Sequence, residues 1–255
     1  MSKIITIGIG ADPEFVMTKK STGSFVSASN LLRSGGAFGR DGCGSIGELR
    51  PHYASSAIAL IGNIKATMTD GVIYKIQELK NYNFLAGHYK NGYSIGGHIH
   101  ISGFRISADE FGRLLDKVMY PLSDILDDLR ERASRRNTGY GKGWRMERGE
   151  RWLEYRMPGS WLLSPHVAFL NLWIAEASAY AYLDGVRDHT ADFWQSLGTF
   201  SMSRIPSKME FLLKFAEKMS GKAQHGQTFM KVADSVFKNL PLNWNIDFKE
   251  SWEVK

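Results

Sequence analysis

The sequence predicts an α+β fold: an antiparallel or mixed sheet with helices packed on its back. Two observations carry this. Extended-looking segments alternate with helical ones, yet the extended segments set polar or charged residues at every second position, so one face of the sheet is wet. A sheet of parallel βαβ units, covered on both faces, would show nearly unbroken apolar strands. The 255 residues show no internal repeat, low-complexity tract or clear linker, so one domain over 1–255 is expected, with 190–255 as a helical C-terminal extension of it.

Each element follows in order. "KIITIGIGADPEFVMTKK" is read as an extended segment that enters a Gly-Ala-Asp-Pro turn and continues as a short strand. The next stretch, "SGGAFGRDGCGSIGELRPHY", holds six glycines between Gly35 and Gly47, so it predicts a loop that becomes a strand around "IGELR". Residues 54–70 have helical spacing, whereas "GVIYKIQEL" and "YSIGGHIHISG" read as strands. Ser107 and Glu110 form a capping-box pattern at the head of a helix that runs toward Ser134, with a kink or break expected at Pro121. "RWLEYRMPG" predicts another strand. Ser164-Pro165 opens a long apolar helix to about Tyr182, and amphipathic helices follow near 207–219 and 224–239.

Composition narrows the class. With 43% hydrophobic and 23% charged residues the chain is not of the disordered type, and no apolar run approaches the ~20 residues of a membrane span. The opening "MSKIITIGIG" lacks a signal-peptide pattern, which predicts a cytoplasmic protein without a membrane partner. One cysteine, Cys43, excludes an internal disulfide framework and a Cys-based zinc site, and fits a reducing compartment. A nucleophilic Cys43 with His98 or His100 as base has no supporting pattern around it; a small residue in a glycine-rich turn is the simpler reading. The formal charge of +6 suggests anionic partners such as nucleotide, phosphate or nucleic acid. Much of the surplus lies between Arg130 and Arg156, a run whose ordinary meaning is a solvated basic face.

The chemistry lies in the polar alternation. Asp12 and Glu14, Glu48 and Arg50, His98 and His100, and Glu154 and Arg156 are each two residues apart, so each pair shares one face of its strand. One such pair describes an edge strand with charges outward. Four describe a face that lines a solvated cavity or holds ions, because acids and imidazoles would destabilise a packed core. Glu14, Glu48 and Glu154 with one histidine offer hard oxygen ligands and one nitrogen, which suits Mg2+ or Mn2+ better than zinc. Mg2+ held by few carboxylates usually shares substrate phosphates, so the set points to a nucleotide, and Arg50 and Arg156 could clamp phosphoryl or carboxylate oxygens. Gly8 and Gly10 begin a dinucleotide fingerprint but lack its third glycine and following helix.

In this order, "GADPEF", "DGCGSIGELRP", "GGHIHIS", "YGKGWR" and "LEYRMPGSWLLSP" resemble the phage-encoded COOH-NH2 ligases of type 2, amidoligases of the glutamine synthetase and glutamate-cysteine ligase superfamily. The resemblance covers roughly residues 5 to 180. It implies a curved, mainly antiparallel sheet forming a funnel, with ATP at one end and divalent cations at the waist. By motif it implies metal carboxylates at Glu14, Glu48 and Glu154 and a metal imidazole at His98. Asp12, first of what is often a Glu-x-Glu pair, is a less defined member of that set. His100 falls nearer the nucleotide phosphates, Arg156 on the phosphate or acyl-phosphate clamp, and Asp41 is either an amine-binding residue or a turn aspartate beside Gly42. Arg135, Arg136, Lys142 and Arg145 in "RRNTGYGKGWR" would then form a flexible cover over phosphates, or else a mobile surface loop.

The expected activity is ATP-dependent joining of a carboxylate to an amine through an acyl phosphate, on small-molecule or peptide substrates. Two other classes stay open. A nucleic-acid-binding protein would use the 130–156 run without ATP but leaves three strand glutamates unexplained; a metal-dependent hydrolase would use the same ligands without nucleotide.

Overall fold

The computed structural model describes residues 7–75, 77–141, 146–149, 152–198, 201 and 203–254. Its sheet is organised on β1, Gly8–Lys19. Through residues 8–13 this strand pairs with β8 (Gly97–Ser102); at Glu14 and Phe15 it pairs with β4 (Gly47–Leu49). Beyond that it pairs with β2 (Phe25–Val26) and β5 (Tyr82–Leu85). The order β3-β4-β1-β8-β10-β9 is completed by β3 (Phe38–Arg40), β9 (Met146–Gly149) and β10 (Trp152–Tyr155), and every one of these pairs is antiparallel. A separate hairpin joins β6 (Tyr89–Lys90) to β7 (Tyr93–Ser94).

One sheet face belongs to the core. Ile9, Ala11, Ile99, Ile101, Leu153 and Tyr155 are all buried, each one residue out of phase with the polar set. Against them packs α4 (Pro165–Leu183), which is apolar nearly all round because other helices enclose it. Ser164 caps it, its Oγ accepting from Val167 N at 3.2 Å, with Pro165 in the first turn where no N–H is needed. α1 (Ala57–Thr69) and α2 (Ala108–Leu126) flank α4, and α3 (Leu129–Asn137) follows α2. After α5 (Ala191–Ser196), α6 (Ile205–Met219) and α7 (Gly226–Lys238) pack on α4. The short α8 (Phe248–Ser251) sets Phe248 edge-on to Phe15 and Phe84, and Trp252 Nε1 donates to Leu162 O at 2.7 Å.

Several local expectations are corrected. The Gly-Ala-Asp-Pro segment is uninterrupted strand, and Pro13 fits because β1 leaves β8 there and takes up a new partner. Residues 70–75 and 77–81 form wide and tight helical turns instead of a strand, which seats Val72 and Leu79 in the core after α1. "YSIGGHIHISG" is two strands parted at Ile95 and Gly96. α2 is not broken at Pro121 but continues to Leu126 with Asp127 as its C-cap, and Asp128 caps α3 by accepting from Arg130 N and Glu131 N. Ser107 is the N-cap of α2 but makes no capping bond; Glu110 instead accepts from Arg187 Nε at 3.1 Å.

Candidate active site

The register assembles the polar face. Asp12 lies opposite His98, Glu154 opposite His100, and Glu14 opposite Glu48. Since Asp12 and Glu14, and likewise His98 and His100, are two apart on their strands, all six side chains emerge on one side across four neighbouring strands. Glu14, Glu48, His98 and Glu154 are buried, and Asp12 and His100 are partly so.

Three of them converge. Asp12, His98 and Glu154 each offer a ligand atom within 4.8 Å of the other two. His98 Nδ1 is 3.3 Å from Asp12 Oδ1 and 3.3 Å from Glu154 Oε1, and His100 Nε2 is 3.2 Å from Asp12 Oδ1. Among the described residues Asp12 Oδ1 is nevertheless a buried oxygen without a hydrogen-bond partner. Heteroatoms this close to one another fit a shared cation at their centre, and two carboxylates with one imidazole fit Mg2+ or Mn2+. Asp12 is therefore central, whereas Glu14 and Glu48 stand beside the cluster. The two glycines before His98 are demanded by proximity: a Cβ on Gly96 would lie 2.3 Å from His98 Nε2, and one on Gly97 would lie 2.4 Å from Gly159 O.

Around the cluster negative charge is in excess. Glu14 Oε2 accepts from Gly96 N at 2.5 Å, yet burial raises its pKa, with Asp41 adding to the rise. Burial, then the charge of Asp12, push Glu48 up to about 8 despite its ion pair with Arg50; Glu14 and Asp41 push the same way. Glu154 is raised by burial and by Asp12. Burial would raise Asp12 too, but the imidazoles of His100 and His98 hold it well below the usual carboxylate range. Burial opposes charge on His100, and Asp12 more than offsets it, so that pKa rises. A face on which acids raise one another is a face that favours added cations.

The arginines divide. Arg156 Nε is 3.3 Å from Glu154 Oε1. Arg50 is tied to Glu48 and donates to Arg40 O and Gly36 O at 3.2 and 3.3 Å. Asp41, whose Oδ2 accepts from Cys43 N at 3.2 Å, is a turn aspartate that also acts electrostatically on the site; Cys43 is exposed. The cover reading of "RRNTGYGKGWR" needs correction at its start. Arg135 and Arg136 belong to α3, with Arg135 only 2% exposed and Arg136 beside the Tyr120 ring at 5.7 Å. Lys142 and Arg145 lie outside the described residues.

Two aromatics were not singled out from sequence. Trp152, 41% exposed, stands two residues before Glu154 on the same face, 6.3 Å from the His100 ring. Tyr53, 77% exposed, lies beside Gly8 and Gly10 on β1, opposite Ser102 and His100. The period of two could have found Trp152; nothing local marks Tyr53, which reaches the face because Ala54 bridges to Ile9.

Fold and site define an enzyme class: an antiparallel sheet whose open face holds carboxylates, imidazoles and arginines around a fitting place for a divalent ion. The family described as phage phiEco32-like COOH.NH2 ligase-type 2 matches residues 9–254, and the chain belongs to it; it is a carboxylate-amine ligase. Among solved structures, the crystal structure of a novel glutamine synthase homolog is similar at a TM-score of 0.52 and 8% identity, over 98% of this chain and 71% of that one. That likeness shows a glutamine synthetase-like fold. A bifunctional glutathione synthetase from Pasteurella multocida gives 0.46 at 9% identity, over 98% and 48% of the two chains. The complex of the prokaryotic ubiquitin-like protein Pup with its ligase PafA gives 0.45 at 11%, over 99% and 63%. No curated protein sequence matches the chain. Among the described residues no helix is long and apolar enough to cross a membrane.

Proposed function

We propose that this ligase uses ATP to activate a carboxylate as an acyl phosphate, which an amine then converts to an amide. The convergence of Asp12, His98 and Glu154 beside Glu14, Glu48 and two arginines is the observation that carries the reading. Asp12 Oδ1, His98 Nδ1 and Glu154 would hold a Mg2+ or Mn2+ ion, which supplies positive charge to phosphate oxygens. Glu14 and Glu48 extend the cation-binding face, and Arg156 orients and neutralises the transferring phosphoryl group.

In the first step a substrate carboxylate oxygen bonds to the γ-phosphorus and the bond to the ADP oxygen breaks. In the second, the amine nitrogen bonds to the acyl carbon, phosphate leaves, and the amine proton passes to Glu48. Trp152 and Tyr53, exposed on either side of the strip formed by Gly8, Gly10 and Ser102, supply flat apolar surface for the nucleotide base. Arg136 near the end of α3, together with Lys142 and Arg145, would add positive charge for the phosphates.

The test is ADP release from Mg-ATP in the presence of pooled amino acids, amines and acids, with mass spectrometry of the product. Amide formation in step with ADP release is expected, and Glu14→Gln and Arg156→Ala should each abolish it. Full turnover in both variants, or amide cleavage without nucleotide, would contradict the reading.

A further inference from the structure

Arg135 is among the most deeply buried large side chains and belongs to none of the groups assigned above. A buried guanidinium is costly unless its donors are used. Here Nη1 donates to Met157 O at 2.7 Å and Nη2 to Arg156 O at 3.2 Å, while Nε has no hydrogen-bond partner among the described residues. The fork thus grips two successive carbonyls immediately after β10, at the residue whose side chain flanks Glu154. Its charge also reaches Glu14, and a Cβ on Gly96 would stand 3.1 Å from Nη2. The base of the arginine is fixed as well. Thr138 Oγ1 donates to Arg135 O at 2.7 Å and lies 2.6 Å from Ser94 Oγ, so the end of α3 is tied to β7.

An apolar residue could fill this space without a buried charge. What only a guanidinium does here is hold the Arg156 and Met157 carbonyls in a fixed plane. We propose that Arg135 is a positioning residue for the phosphate clamp: it sets the backbone from which the Arg156 side chain reaches the site. The proposal rests on the ligase reading above, and requires that Arg135 act through Arg156.

The test is a double-mutant cycle read as affinity for Mn2+ with a non-hydrolysable ATP analogue, with Mn2+ alone and thermal stability measured in parallel. Arg135→Lys keeps charge and stem but offers one point donor where two carbonyls need a fork. In the otherwise wild-type protein it is expected to weaken analogue binding about tenfold, the size of one misplaced charged hydrogen bond, with Mn2+ binding unchanged within about twofold. In an Arg156→Ala background the same change should have no further effect. Equal losses in both backgrounds, or wild-type affinity in Arg135→Lys, would overturn the proposal. Should Arg135→Lys not fold, Arg135→Gln keeps a planar donor that can reach one of the two carbonyls, and the same pattern is required of it. A wild-type protein that binds Mn2+ but no nucleotide would sink the ligase reading and this proposal together. Nucleotide binding with additive losses would sink this proposal alone.

Discussion

Glu48 is buried and Asp124 partly so, each with an arginine at hand, and their proton affinities move in opposite directions. Burial would raise Asp124, but Lys208 Nζ at 2.6 Å and the ion-paired Arg132 pull it below its ordinary value. At Glu48 burial and the charge of Asp12 outweigh Arg50 and carry it to about 8. The first cluster joins α2, α3 and α6 with its charges matched. The second leaves acids facing acids. The difference separates a structural ion cluster from one that is electrostatically incomplete without a cation, and mutations at the two should fail in different ways.

The largest expected effect is on the incomplete side. Asp12→Asn and Glu154→Gln should each weaken Mn2+ binding about 100-fold by titration calorimetry, since each removes one of three direct ligands, while leaving the fold intact. Next, Asp124→Asn should lower unfolding stability by about 3 kcal/mol in a denaturant titration, because it strands the buried Lys208 ammonium, and should leave Mn2+ affinity unchanged. An Mn2+ defect there would erase the contrast. Trp152→Ala should weaken the ATP analogue by about 1 kcal/mol, roughly fivefold, with no change for Mn2+ alone.

The smallest effect is one of pH. Glu48 holds its proton more tightly folded, at about 8, than its ordinary 4.5, so its contribution to stability is full below 4.5 and is lost as pH rises through 8. Asp124 runs the other way: its contribution is present above its ordinary 3.8 and is lost as pH falls through its lower folded value. Metal-free Glu48→Gln should therefore melt about 2 °C above wild type at pH 8 and show a flatter stability profile between pH 5 and 8. A steeper profile would place the excess charge elsewhere.

Much of this contrast was legible in the sequence. In-strand pairs two residues apart marked the wet face, because a strand's period is local. Which three residues converge was not legible, since Asp12 meets His98 through the register between β1 and β8, which no single segment encodes. The run from Arg130 to Arg156 looked uniform as text. Folding sends Arg135 inward to backbone carbonyls and commits Arg132 to Asp124, a sorting by tertiary neighbours. The strand read in "GVIYKIQEL" failed for the same reason: 70–75 and 77–81 form helical turns that seat Val72 and Leu79 in the core after α1. The apolar α4, whose cap and proline are adjacent in sequence, was readable almost to its ends.

The most direct test of the central claim is anomalous diffraction from crystals soaked in Mn2+. The account predicts one strong peak about 2.1 Å from Asp12 Oδ1, His98 Nδ1 and a Glu154 oxygen. No peak among those three side chains at saturating Mn2+, or ordered density only at exposed acids elsewhere, would contradict it.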